Sequence, residues 1–237
     1  MVRFAVELGF DGYPGMQKAL QEMVVNRLTA VQRIEVTNDR IGGQNILSMV
    51  LQSDMEKLRQ TGETVDQAAF DAAVKAVLGA ERVFILGVRS AAPLANFLGY
   101  YLNYMFHNVH ILTASGTSEM FEKIVGINAK DAVIAFSFPR YSATTAKAAQ
   151  YCRSTGATVI GVTDTKLSPL GECSDYVLVA KSGMVSLVDS LVAPMSVVNA
   201  LIVAIAAQKE KELSTTFQEL EHIWEEYHIY EKQEENG

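Results

Sequence analysis

Cysteine is almost absent from the 237-residue chain, which has only Cys152 and Cys173. Lying 21 residues apart, they form neither a disulfide framework nor a closely spaced metal pair. No charged-then-apolar secretory segment opens the chain, so a reducing, cytoplasmic setting is expected. Glycine (16) and proline (5) are scarce and no short period repeats, which excludes collagen-like, low-complexity and solenoid chains. Positive charge is short as well: 20 Lys and Arg stand against 27 Asp and Glu, a net −7, so the molecule as a whole offers no basic field to a nucleic-acid backbone. Long apolar runs are missing save one, the 18 uncharged residues Ser190–Ala207, at the lower limit for a spanning helix. Pro194, Ser196 and Asn199 interrupt it, and a core helix enclosed between a sheet and a partner is expected, not a membrane span.

Several chemistries lack their residues. A dinucleotide loop wants G-x-G-x-x-G, whereas Gly87 is followed by Arg89 and Ala92, and no G-x-x-x-x-G-K-[ST] phosphate loop occurs. His107 and His110, three apart at a strand entry, point to different faces. No cofactor, no metal and no catalytic residue is therefore expected.

What is present is a large apolar content, 49% of residues, arranged as short β-branched runs alternating with helical patterns. That alternation is the signature of parallel strands joined by crossover helices. Five strands are predicted, at Arg82–Leu86, Val109–Leu112, Ala132–Phe136, Thr158–Val162 and Tyr176–Val179. Helices are predicted between them at Pro93–Met105, Glu119–Val125, Thr144–Ser154 and Ser168–Cys173, with Ser186–Glu210 closing the unit. Ahead of the sheet, Asn45–Arg59 and Val65–Leu78 read as two helices broken at Thr61-Gly62-Glu63. Earlier still, Arg3–Leu8 is predicted helical up to Gly9, with a turn at Asp11–Gly15 and a second helix over Met16–Val25. The predicted division is an arm or linker over 1–41, an α/β sandwich over 42–210 hinged at Gly42-Gly43, and a carboxy-terminal tail over 211–237. From Lys209 onward nine acids face three lysines, and Leu213, Phe217, Leu220, Ile223, Trp224 and Tyr227 form a helical stripe suited to docking on the body or a second subunit.

In an open parallel sheet, ligands bind beyond the carboxyl ends of the strands, where strand order reverses. The commonest five-strand order, 2-1-3-4-5, brings the loop after the first strand (Gly87-Val88-Arg89-Ser90-Ala91) beside the loop after the third (Ser137-Phe138-Pro139-Arg140-Tyr141-Ser142). These are the strand-end loops richest in hydroxyls and the two that carry arginine. A helix amino terminus capped by Ser142, with Thr144 and Thr145 in its first turn, offers free N–H groups to an anion. Arg89 and Arg140 add guanidinium forks that match a phosphate, leaving sugar hydroxyls to Ser90, Ser137 and Thr113. The competing reading is that these Ser and Thr residues only cap helices.

At these two loops the sequence resembles the sugar isomerase (SIS) domain, over about residues 45 to 210. Gly-Val-Arg-Ser-Ala-Ala-Pro-Leu-Ala at 87–95, Ser-Phe-Pro-Arg-Tyr-Ser at 137–142, Gly-Val-Thr-Asp at 161–164 and Ser-Pro-Leu at 168–170 look specifically like regulators of the RpiR/MurR family. Residues 3–20 are similar to the end of that family's amino-terminal helix-turn-helix domain. The resemblance implies a flavodoxin-like three-layer sandwich with a five-stranded parallel sheet, and a sugar-phosphate-sensing transcriptional regulator that dimerises. Its implied ligand-binding set is Gly87, Arg89, Ser90, Thr113, Ser137, Arg140, Tyr141, Ser142 and Thr145, and Arg3 is the remnant of a DNA-binding surface. The chain starts inside what would be the recognition helix, so weak or no binding of operator DNA by this chain is expected. The sequence departs from the broader SIS pattern in both loops. In G-x-G-x-S, Arg89 falls on the second glycine and Ala91 on the serine; in S-x-S-G-x-T, Arg140 falls on the glycine and one hydroxyl is lost. An aldose–ketose phosphate isomerase is the alternative on the same fold; it needs a base, for which Glu119, His107 and His110 are the candidates.

Overall fold

All six residues of the strand Asp131–Phe136 are buried, a condition met when a strand has neighbours on both edges and helices on both faces. This strand, β3, is flanked by β1 (Arg82–Gly87) and β4 (Thr158–Thr163), with β2 (Val109–Leu112) and β5 (Tyr176–Val179) at the edges. The order is β2-β1-β3-β4-β5 and all neighbours are parallel, in the register Leu86 to Leu112, Ile85 to Ile134 and Val133 to Val159. The predicted strand order and all five strands are present, each within a residue of its expected bounds. The computed structural model describes residues 2–9, 12–17, 20, 28–29, 31–35, 45–113, 116–184 and 188–230.

Alternation along the strands feeds two cores. On one face Val83, Ile85, Ile134, Phe136, Ile160 and Val162 pack against helices α3 (Gln67–Leu78), α4 (Ala92–Leu102) and α8 (Val192–Gln208). On the other, Phe84, Leu86, Val133, Ala135 and Val159 meet α5 (Thr117–Lys123), α6 (Ala143–Ser154) and α7 (Pro169–Glu172). This is the expected three-layer, flavodoxin-like sandwich. The apolar run expected to be a core helix is α8, which buries Ala193, Val197, Val198, Leu201 and Ile205 against α2 (Ile46–Thr64), α3 and α4. Among the described residues, no single helix is long and apolar enough to cross a membrane.

Some element bounds differ from expectation. Helix α2 runs unbroken through Gly62, because one glycine costs a helix only about 1 kcal/mol. The break comes at Val65–Asp66, where the Asp66 carboxylate caps α3 by accepting from Ala69 N–H. Residues 12–17 are helical where a turn was expected; Pro14 sits in the first turn, where its missing N–H costs nothing. Helix α1 (Val2–Glu7) yields to Gly9 at φ 82°, as predicted. Residues 188–191 are loop, not the start of α8, since Asp189 pairs with Met184 as an antiparallel bridge. The Gly42-Gly43 hinge and most of the predicted helix at 16–25 lie outside the described residues. Past Lys209 the chain turns into α9 (Glu210–Glu226), which lies with Phe217 against Tyr104, ring centroids 5.2 Å apart.

Candidate functional site

At the carboxyl ends of β1 and β3 a cavity of about 840 Å³ opens, within the range of small-ligand sites. The two loops chosen from the sequence face each other across it: Arg89, Ser90, Ser137, Arg140 and Ser142 all line it. The β1 loop starts with Gly87, where a Cβ would stand 2.8 Å from both Ala91 O and Ala95 Cβ. A glycine is therefore needed for α4 to begin directly over the strand end. Gly87 shapes the loop and does not line the cavity.

The β3 loop is built on two hydroxyls. Ser137, 3% exposed, accepts from Ser142 N–H at 3.2 Å, and Ser142 caps α6 by accepting from Thr145 N–H at 3.2 Å. Each oxygen spends acceptor capacity on the loop, and among the described residues neither hydroxyl donates a hydrogen bond, which leaves a proton for a guest. The capping reading and the binding reading therefore coexist in these serines.

Both loop arginines have left-handed backbones, Arg89 at φ 56° and Arg140 at φ 64°. An L-residue there costs roughly 1–2 kcal/mol. These are the positions at which the general SIS pattern carries glycine, so the chain keeps the backbone geometry and accepts strain to gain a guanidinium. Both side chains are exposed, line the cavity and have no ion-pair partner among the described residues. Two cations held at one cavity mouth, beside an α6 amino terminus, form a receptor for an anion.

The remaining expected site residues fall elsewhere. Tyr141 turns away from the cavity and donates to both carboxylate oxygens of Asp164, at 2.9 and 3.1 Å. Burial and the neighbouring carboxylate push the Tyr141 phenol well above its ordinary value. Asp164, 9% exposed, has its own carboxyl raised by burial, against the hydrogen bonds from Tyr141 and Thr163. Tyr141 thus braces the loop from behind. Thr145 is fully buried, its hydroxyl without a partner among the described residues, and Thr113 at the end of β2 does not line the cavity. Arg3 is exposed on α1. Of the possible bases, Glu119 pairs with Lys123 on α5 and His110 stacks on Phe84, and neither these nor His107 lines the cavity. Among the described residues no group of three His, Cys, Asp or Glu is placed to hold a metal.

The opposite wall escaped sequence reasoning. It comprises Asp54 of α2, Asp189 and Ser190 of the loop before α8, and Arg33 from residues 31–35. Arg33, 1% exposed, donates through Nη1 to both Asp189 carboxylate oxygens at 2.9 and 3.0 Å. Ser190 donates to Asp54 Oδ1 at 2.6 Å. No local pattern marks these residues, since 156 positions separate Arg33 from Asp189 and 136 separate Asp54 from Ser190.

A doubly wound parallel sheet with a polar crevice at its switch point defines a small-ligand-binding α/β domain. The SIS domain model matches residues 77–204, more than half of the chain, and the chain belongs to the SIS domain family. An uncharacterized HTH-type transcriptional regulator of Haemophilus influenzae is 26% identical over 182 residues, 76% of this chain; the chain spans 62% of that relative's length. The sugar isomerase domain of an RpiR transcription factor from Sphaerobacter thermophilus superposes with a TM-score of 0.72 at 29% identity, covering 76% of this chain and 99% of that one. NanR of Vibrio vulnificus, solved in complex with ManNAc-6P, superposes with a TM-score of 0.66 at 20% identity, over 94% of this chain and 79% of its own. At that identity the likeness to NanR shows the fold alone.

Proposed function

We propose that this chain is the sensor portion of a transcriptional regulator that binds a phosphorylated sugar in the cavity between the β1 and β3 loops. The observation that carries this reading is the pair of strained arginines, 89 and 140, converging with the α6 amino terminus on one cavity. Arg89 and Arg140 hold the phosphate together with the N–H groups at Ser142–Thr145, while Ser90 and Ser137 meet sugar hydroxyls. Gly87, Tyr141 and Thr145 shape the loops that do so, and Thr113 borders the site from β2. The NanR complex and the regulator relatives support this ligand class and role. An isomerase would require a base at the cavity, and the three candidates named from sequence do not line it.

Residues 1–41 belong in this reading to the arm of a DNA-binding head, with exposed Arg3 toward operator DNA; 42–210 are the sensor and 211–237 an acidic tail. The whole regulator is a homodimer. Leu47, Leu51, Met55 and Leu58 follow one another by three or four residues along α2 and are all exposed, an apolar stripe of the kind that closes a dimer. Thermal-shift screening of phosphorylated sugars, followed by calorimetry on wild type, Arg140→Ala and Ser137→Ala, tests the proposal. A binder that each substitution weakens is expected. A binder indifferent to both would place the pocket elsewhere.

A further inference from the structure

The far wall of the cavity contains a residue from outside the sensor. Residues 31–35 form a short helix whose entry is fixed by Thr29 and Gln32, which exchange hydrogen bonds of 2.9 and 3.3 Å between their side chains and backbone N–H groups. Arg33 leaves this helix and is buried to 1% exposure against Asp189, itself 18% exposed. Asp189 is held from its other side: its loop is pinned by the bridge to Met184, by Ser190 N–H to Gly183 O at 3.1 Å, and by the Ser190–Asp54 hydrogen bond. The aspartate is therefore the fixed member of the pair and the arm the movable one.

Arg33 and Asp189 line the same cavity as Arg89 and Arg140. We infer that the Arg33–Asp189 ion pair is part of the ligand site, and that an anion bound there competes with Asp189 and loosens the arm. The inference rests on the anion-binding reading above and adds an element that transmits it. The charges lining the cavity among the described residues are three arginines and two aspartates, an excess of one positive charge. A dianionic phosphate reverses that excess and sets negative charge beside Asp189. A partly buried pair feels this more strongly than solvated groups do, because screening by salt is weak there. Arg33 is then offered a second partner while its first is repelled. By reciprocity, whatever weakens the pair also changes anion affinity by the same factor. The differential contact that a ligand-driven change requires is thus present in named atoms.

Trypsin reads the state of the arm directly, since it cleaves after Arg33 only when that side chain leaves its burial. Wild type and Asp189→Asn are digested in a titration of inorganic phosphate, and cleavage of the Arg33–Ile34 bond is followed by mass spectrometry. In the same titration, deuterium exchange of residues 89–92 and 142–146 reports occupancy of the anion site. Phosphate is expected to protect those amides and to accelerate cleavage after Arg33 on the order of tenfold in wild type. Asp189→Asn is expected to be cut rapidly without phosphate and little faster with it. If the amides are protected while cleavage in wild type is unchanged or slowed, the coupling is refuted and the anion site stands. If no amide is protected, the anion site itself is refuted and the coupling falls with it. A folded Asp189→Asn that is cut as slowly as wild type in the absence of phosphate overturns the role of the ion pair.

Discussion

Replacing Arg140 by glycine is expected to move stability and ligand binding in opposite directions. Arg140 stands at φ 64° with its side chain in the cavity. Glycine takes that backbone conformation freely, relieving about 1–2 kcal/mol of strain. Part of this is returned, because glycine adds about 0.4–1 kcal/mol of conformational freedom to the unfolded chain. The net gain is roughly 0.5–1 kcal/mol, or about 1–4 °C in Tm for a chain of this size. The same substitution removes one charge-assisted contact to the ligand, about 1.5–3 kcal/mol, which is about 10- to 150-fold in Kd. Arg140→Ala separates the two effects: it keeps the strained backbone and loses the charge, so affinity falls with no rise in Tm. Differential scanning calorimetry and titration calorimetry on the same three proteins make the comparison. A glycine variant that melts below wild type, or that binds the sugar phosphate as tightly, refutes the claim that strain is tolerated here for the sake of charge.

Other perturbations follow from the same geometry. Gly87→Ala drives a Cβ to 2.8 Å from the Ala91 carbonyl, and a loss of about 1–3 kcal/mol is expected in urea unfolding, together with weaker binding as the β1 loop shifts. Asp164 and Asp131 have opposite pH signatures. The Asp164 carboxyl is raised by burial, so its contribution is full below the ordinary carboxylate value and is lost as pH rises through the higher folded value. Stability of Asp164→Asn relative to wild type should therefore increase from acid to neutral pH; a constant difference counts against it. The Asp131 carboxyl is also penalised by burial, but hydrogen bonds from Arg82 and Asn128 N–H outweigh this and hold it below its ordinary value. Its stabilisation is present above the ordinary value and lost as pH falls through the folded one, and Asp131→Asn should flatten the acid limb of the wild-type stability curve. Leu51→Glu on the exposed α2 stripe is expected to give a monomer by sedimentation velocity with the sheet intact by circular dichroism; an unchanged sedimentation coefficient would remove the stripe from the interface.

The sheet was legible because each strand is a short, almost uninterrupted apolar run, and burial on both faces demands just that pattern, as in Asp131–Phe136. Helix ends were less so: Gly62 reads as a breaker, yet Thr61 and its neighbours stay helical, with the Thr61 hydroxyl accepting from Lys181 N–H at 2.8 Å. One wall of the site was visible because a strand-end loop announces itself locally, by arginine and hydroxyls beside a helix cap. The direction of Tyr141 was hidden, since it depends on the left-handed turn at Arg140 and on Asp164, 23 residues away. The other wall was invisible, because an ion pair between Arg33 and Asp189 leaves no trace in the spacing of neighbours.

The claim that the β1 and β3 loops jointly hold a phosphorylated sugar is tested most directly by amide nuclear magnetic resonance, adding a sugar phosphate identified by the screen and then its unphosphorylated counterpart. The phosphorylated compound should shift the amides of Arg89, Ser90, Arg140 and Ser142–Thr145 together, and the plain sugar should leave the arginine and α6 amides unmoved. Shifts confined to one loop, clustered on another face, or equal for both compounds would contradict it.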